Sequence, residues 1–298
     1  MKVSIIVPTY NKLPRLKLMI SSLCNQGYPI NDYEVIFIDD GSTDGTAEFL
    51  LHENFPFQYQ YHFQLNLGRG VARNVGLNLA KGEYVIFIDD DLILSQNFIN
   101  EHMKLQECGQ CISRGLIYDL PYMKFFLDPV KGVFYRCNNK NHQGLLSKCI
   151  QESDIFNNFQ KIEKQKKMSE FEALVMEVME KYQGKCNWIS FAGGNVCVPA
   201  KWLRALGGFD QRFSTTWGCE DLELGYRLFV NGKVFKYNPL ACNYHITHHR
   251  EKYKEQHRKT SKYFYSKHKD NRILLLNSLF LGDITKEDFI NDLREKSF

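Results

Sequence analysis

Four short apolar or alternating runs, Val3 to Val7, Glu34 to Ile38, Phe57 to Phe63 and Tyr84 to Ile88, are separated by helical patterns. That alternation is the signature of an α/β protein with a mostly parallel central sheet and helices on both faces. Leu16, Met19, Ile20 and Leu23 mark the first helix. The second starts at Thr43 or Asp44, since either side chain can cap exposed amides. Val71 to Ala80 is the third, with Gly82 as its stop, and another begins at Ser95. In open α/β sheets ligands collect at the carboxyl ends of the strands. Pro8-Thr9-Tyr10, Asp39-Asp40 and Asp89-Asp90-Asp91 all stand at such ends, so three polar termini distant in sequence are expected to converge on one crevice.

The third terminus is the most demanding. Carboxylates crowded at a strand end repel and raise one another's pKa, so Asp89-Asp90-Asp91 argues for a divalent metal with oxygen ligands that carries phosphate. An extended backbone would put Asp89 and Asp91 on one side and Asp90 on the other. For the tripeptide alone, a solvated acidic turn is the plainer alternative.

Composition excludes several classes. A chain of 298 residues can bury a substantial core and form one large domain, or a core with an appended subdomain. Nine scattered cysteines are no disulfide framework and point to a reducing compartment. The chain opens on a strand without a signal-peptide pattern, and the late apolar run Ile273 to Leu281 is broken by Asn277 and Ser278 and too short to span a bilayer. The expectation is a cytoplasmic protein, with peripheral contact at the inner face of the membrane as an option. A net charge of +4 does not imply nucleic acid, and no nucleic-acid motif is present. Basic residues concentrate between Arg250 and Arg272, with Tyr253, Tyr263, Phe264 and Tyr265 among them. This is a solvated helix face or a surface for a membrane or an anionic acceptor.

Between Tyr118 and Lys185 the alternation fails, and a charged helical stretch from Gln160 to Tyr182 dominates. It reads as an insertion or lid. Four regions result: 1–117, 118–187, 188–249 and 250–298. The third carries Gly193-Gly194-Asn195, Gly207-Gly208-Phe209-Asp210, and Trp217-Gly218-Cys219-Glu220-Asp221 leading into a helix with Leu222, Tyr226 and Phe229 on one face.

Taken in order, Val7-Pro8-Thr9-Tyr10-Asn11, Asp39-Asp40-Gly41-Ser42-Thr43-Asp44, Asn66-x-Gly68-x-x-x-Ala72-Arg73-Asn74-x-Gly76 and Asp89-Asp90-Asp91 resemble a family 2 glycosyltransferase of the GT-A fold. The Gly207–Asp210 and Trp217–Asp221 segments extend the similarity toward galactosyltransferases and polypeptide N-acetylgalactosaminyltransferases. The likeness covers roughly residues 1–115 and 188–250 and leaves the middle segment and tail uncovered.

The resemblance implies a UDP-sugar donor, a Mn2+ or Mg2+ cofactor with manganese favoured, and an acceptor that is a sugar, lipid-linked, peptide or small molecule. It makes Asp91 the best direct metal ligand, with Asp89 reaching ribose or metal through water and Asp90 beside them on the donor side. Asp39 matches the carboxylate that accepts from the uracil imide N–H, a bond thymidine would also satisfy, and Pro8, Thr9 and Tyr10 match the loop that packs the base. Arg73 suits bidentate contact with diphosphate. Asp221 is the candidate general base of an inverting transfer and Glu220 binds acceptor or orients the site, although helix capping would also account for both acids. Trp217 and Gly194 belong to the acceptor side, Trp217 as a platform for a sugar face or as core packing. His245 is the favoured histidine ligand, His248 the next and His249 a third candidate; neutral imidazole suits manganese.

Two rivals remain in view. A sugar nucleotidyltransferase would carry a glycine-rich loop after its first strand, where this chain has Pro8-Thr9-Tyr10-Asn11. A non-catalytic carbohydrate-binding protein would not need Asp91, Arg73 and Asp221 together. A dinucleotide oxidoreductase is excluded by the missing G-x-G-x-x-G.

Overall fold

Each apolar run becomes a strand whose alternate residues point to opposite faces. Ile6, Ile36, Val85 and Phe87 face one core, while Ile5, Val7, Val35, Phe37 and Ile86 face another. In the computed structural model, which describes residues 1–135, 140–213, 216–249 and 252–295, the strands are β1 (Val3–Thr9), β2 (Tyr33–Asp39), β3 (Gln58–Phe63), β4 (Tyr84–Phe87), β5 (Leu92–Leu94), β6 (Ile112–Asp119), β7 (Phe126–Asp128), β8 (Val133–Phe134), β9 (Val196–Pro199) and β10 (Phe235–His245). The described residues hold one eight-stranded sheet in the order β3-β2-β1-β4-β9-β6-β10-β5, and β7 with β8 forms a small hairpin. β1, β2, β3 and β4 are mutually parallel, β9 runs antiparallel between β4 and β6, and β10 is parallel to β6. β5 is the far edge, antiparallel to β10. The acidic triplet therefore links the centre of the sheet to its edge.

Helices cover both faces. Leu13–Cys24 and Phe98–Glu107 bury Leu16, Met19, Ile99 and Met103 on one side. Arg69–Leu79, Glu170–Lys181 and Glu220–Val230 close the other, with Ala72, Leu174, Val178, Leu224 and Leu228 in its core. Two helix starts fall later than expected. The second begins at Thr46, where Asp44 accepts from the Thr46 backbone N–H at 3.3 Å, and the one expected from Ser95 begins at Phe98.

The charged helical stretch from Gln160 to Tyr182 holds two helices. Gln160–Glu163 ends early, Lys167 pairs with Asp119 across a single bridge, and Glu170–Lys181 starts where Ser169 Oγ accepts from Glu172 N at 3.1 Å. The second of these helices is built into the core through Leu174, Val175, Val178 and Met179. Residues of the 121–165 stretch instead pack with Leu18, Ile93, Tyr244 and Ile246 over the β5–β10 edge.

The basic tail folds back on the domain. Tyr253–His268 buries His257, Thr260, Ser261 and Phe264, and Phe264 meets Trp188 edge-on at 5.6 Å. Arg250, expected to open that basic run, lies outside the described residues, as do 136–139 of the middle segment. Among the described residues no helix is long and apolar enough to cross a membrane.

Candidate active site

Strand register builds the first part of the site. β6 and β10 run in parallel with His245 beside Asp119, and β5 pairs His245 with Leu92, the residue after Asp91. Ile246 N donates to the Asp91 carbonyl at 2.8 Å and locks this corner. Asp91, His245 and His248 consequently form a cluster whose ligand atoms lie within 4.8 Å of one another. His245 Nδ1 is 2.9 Å from Asp119 Oδ1, which leaves Nε2 facing Asp91 Oδ2 at 3.7 Å, and His248 Nε2 is 3.2 Å from the same oxygen.

One carboxylate and two imidazoles, one of them oriented by a second carboxylate, form a donor set suited to manganese or a similar divalent ion. Burial works against a charged His245, but Asp91 and Asp119 outweigh it and raise its pKa to about 9. Lys12 Nζ also lies here, 2.7 Å from Asp91 Oδ2 and 3.3 Å from Asp90 Oδ1. His249 is exposed and outside the cluster. Sequence reasoning missed Lys12 and Asp119. Lys12 directly follows the Pro8–Asn11 motif, whereas Asp119 carries no local signal beyond closing an apolar run.

The expected alternation within the acidic triplet does not hold. β4 ends at Phe87 and the chain turns at Asp90-Asp91, so all three carboxylates border one crevice and Asp90 is not turned away. Alternation is a property of extended backbone, and the extended backbone ends before the acids begin. Asp90 accepts from Tyr10 N at 3.3 Å, tying the ends of β1 and β4.

Arg73 organises the second part. Its side chain is fully buried, with Nη2 2.7 Å from Asp89 Oδ1 and Nη1 2.8 Å from Asp221 Oδ1. The guanidinium thus joins Asp89 to Asp221 at the start of the Glu220–Val230 helix. It does not itself reach the crevice. Arg69, one turn earlier, borders the crevice and pairs with Glu220. Asp221 keeps 23% of its side chain exposed. Burial and neighbouring Glu220 outweigh Arg73 and Arg69 and raise its pKa to about 6.

Two glycines make this arrangement possible. Gly218, at φ +107°, and Cys219, at φ +64°, turn the chain left-handed and present Glu220 and Asp221 on the first helical turn, where the dipole favours acids. A Cβ at Gly193 would stand 2.5 Å from Arg73 Nη2 and 2.6 Å from Asp221 Oδ1. Gly193→Ala should therefore prise Arg73 from Asp221, with an overpacking cost of about 1–3 kcal/mol. The check is a lowered Tm together with a turnover number that falls more than donor affinity; unchanged turnover would mean that the Arg73–Asp221 contact is dispensable.

Two adjoining hollows open above these groups. One, of about 290 Å³, is bordered by Pro8, Thr9, Tyr10, Asp40, the acidic triplet and Arg69. The other, of about 260 Å³, is bordered by Gly194, Asp221, His245 and His257, and Trp217 borders both. Asp39 is fully buried just behind, with Oδ1 accepting from Ser42 N at 2.8 Å and Oδ2 from Tyr61 Oη at 3.0 Å. The three strand ends thus do meet at one crevice, with Asp39 one residue back from its wall.

The cleft at the carboxyl ends of β1 and β4 is thus bordered by the acidic triplet and Arg69, with Arg73 buried behind it, where ligands gather in open α/β sheets. The chain is a member of glycosyl transferase family 2, whose family model matches residues 4–165, and a second model, "N-terminal domain of galactosyltransferase", matches residues 174–250. It is 31% identical over 256 residues to chondroitin synthase of Escherichia coli, covering 81% of this chain and 34% of that protein. It is 27% identical over 236 residues to validoxylamine A glucosyltransferase of Streptomyces hygroscopicus subsp. jinggangensis, covering 77% of this chain and 51% of that one. The chain thus spans a third to a half of these relatives' length. Among solved structures, S. aureus TarS 1-349 in complex with UDP superposes with a TM-score of 0.59 at 16% identity, over 100% of this chain and 73% of that one. The mannosyltransferase PcManGT from Pyrobaculum calidifontis, in complex with GDP-Man and Mn2+, gives 0.59 at 16%, over 100% and 76%. The fold is GT-A, as the motifs implied.

Proposed function

We propose that this protein moves a sugar from a UDP-sugar donor to an acceptor hydroxyl with inversion at the anomeric carbon, Asp221 acting as general base. The observation that carries this reading is the Arg73 bridge, which ties Asp221 to Asp89 so that base and donor-side acids share one crevice. Asp91, His245 and His248 would hold a divalent ion, manganese in preference to magnesium, and such an ion supplies positive charge against the diphosphate leaving group. Arg69 borders both hollows and is the better-placed arginine for the diphosphate, while Arg73 holds the two acids. Pro8, Thr9, Tyr10 and Asp39 form the base side, and Asp89 and Asp90 the ribose and diphosphate side. Trp217, Gly194 and Glu220 belong to the acceptor, with the 188–249 region and part of 118–187 as its walls. Inversion follows from likeness to family 2, against the retaining N-acetylgalactosaminyltransferases.

The decisive experiment is a nucleotide-sugar panel scored for hydrolysis with manganese present and absent, repeated with candidate acceptors. Metal-dependent turnover of a UDP-sugar is expected. A protein that hydrolyses none of the panel and binds no nucleotide would be a carbohydrate-binding relative instead. Base choice is the finer point, because one structural neighbour carries UDP and another GDP-Man. Uridine is favoured by the Asp39 carboxylate, which can accept an imide N–H. Asp39→Ala should weaken UDP binding by about 1–3 kcal/mol, the usual cost of an unmet buried hydrogen bond. Calorimetry that finds GDP bound more tightly than UDP would reverse the assignment.

A further inference from the structure

A row of rings leads away from the catalytic acids. Trp217, on the wall shared by the two hollows, lies 6.4 Å from His257 between ring centroids; His257 lies 4.7 Å from Phe280, and Phe280 lies 4.8 Å from Phe171. Phe171 and Phe280 border the hollow that holds Asp221, and they also border a third, larger cavity of about 630 Å³ between the helix Glu170–Lys181 and the segment joining Asn271–Leu281 to Lys286–Glu295. The hollow beside Asp221 and that cavity thus share Phe171 and Phe280 as walls. The cavity's lining includes none of the acids of the triplet.

The chemistry along the path is selective. His257 is 5% exposed, burial lowers its pKa to about 4 so that the ring is neutral, and its Nε2 has no hydrogen-bond partner among the described residues. A buried polar nitrogen without a partner on a ligand-sized hollow is a place for a neutral hydroxyl. Charge along the path is sparse and unsuited to anions. The hollow beside Asp221 carries two cationic side chains, both already paired with acids: Arg69 with Glu220, and His245 between Asp91 and Asp119. The outer cavity has Glu170 and Glu287, with Lys286 3.1 Å from Glu177. A polyanionic chain would meet acids. A lipid diphosphate one sugar behind the reacting hydroxyl would find the cations that border the two hollows, Arg69, His245 and Lys286, already paired with acids.

We propose that the acceptor is an uncharged saccharide chain of several units. Its terminal unit meets Asp221 against Trp217, and its remote units lie along His257, Phe280 and Phe171 into the cavity between the middle helix and the tail. This rests on the transferase reading given above and adds the acceptor class and the track. Sugar rings present C–H faces that pack on aromatic rings, and their hydroxyls satisfy neutral partners such as His257 Nε2.

The test uses the whole chain with UDP and Mn2+ on an array of neutral oligosaccharides graded from one to six units, beside sulfated and uronate-containing chains and glycosylated lipid diphosphates in vesicles. Retention of at least one neutral series should rise with length, by about tenfold from one unit to four if each stacking contact matches an ordinary aromatic pair. The double variant Phe171→Ala/Phe280→Ala should flatten that rise without altering UDP affinity. Phe280→Leu, which keeps apolar volume and removes the ring, should flatten it in part and guards against a folding defect. The proposal is overturned by neutral glycans that show no gain with length, by a gain that survives both variants, or by a preference for the anionic or lipid-linked ligands. UDP titration of the same samples separates the two failures. Absent UDP binding sinks the donor reading, whereas intact UDP binding with no length dependence sinks the ring track alone.

Discussion

Asp221→Asn should lower the turnover number by on the order of 10²–10⁴-fold, the usual reach of general-base assistance, while UDP affinity changes little. The substitution keeps the shape of the side chain and its place beside Arg73, but the amide cannot take the acceptor's proton. The raised pKa of Asp221, about 6, gives the prediction a second reading. The base must be ionised to work, so wild-type turnover should be full above pH 6 and fall by about tenfold per unit below it. The variant's residual activity should lack that acid limb. Glu220→Gln should be milder, acting on the Michaelis constant for acceptor, because Glu220 is engaged by Arg69 and by Gly218 N at 3.1 Å. A retained anomeric configuration in the product, or near-normal turnover in Asp221→Asn, would remove Asp221 from this role.

Asp91→Asn should weaken manganese binding and manganese-dependent UDP binding together. Asp91 Oδ2 is the atom faced by both His245 and His248, so neutralising it removes the anionic member of the donor set. Losing a group that merely orients a ligand costs metal affinity about 10–100-fold, and losing a carboxylate that would touch the ion should cost more. Metal-free UDP affinity should fall much less. Asp119→Asn, which changes only the partner of His245 Nδ1, should give the smaller effect and serves as the graded control. Calorimetry with and without Mn2+ reads both variants. Full turnover in excess chelator would sink the metal role.

The strand ends that meet at the crevice were legible because their information is local. Apolar runs that end in Pro8-Thr9-Tyr10, Asp39-Asp40 and Asp89-Asp90-Asp91 carry both the strand and the chemistry at its end, and the rule that ligands gather at carboxyl ends joins them without further data. Where local reasoning missed, a tertiary contact had overridden a periodicity. The stretch from Gln160 to Tyr182 has helical patterning throughout, yet Lys167 pairs with Asp119 and Ser169 caps a new helix, so it breaks in two. Asp90 was expected on the far face, yet the chain turns at Asp90-Asp91 to reach β5 on the opposite edge of the sheet.

By itself the sequence determined the α/β class, the order of the first four strands along the chain, and the acids that stand at the ends of those strands. These follow from residue spacing and from the cost of crowding like charges, which do not depend on where distant segments lie. Only the tertiary structure decided which groups meet. Arg73, which holds Asp89, meets Asp221 148 residues away, His245 meets Asp91 through the pairing of β10 with β5, and Trp217, His257, Phe280 and Phe171 line up from three separate segments. No spacing rule encodes such neighbours, because burial of the apolar faces sets how helices and strands pack, and the polar side chains meet where that packing carries them.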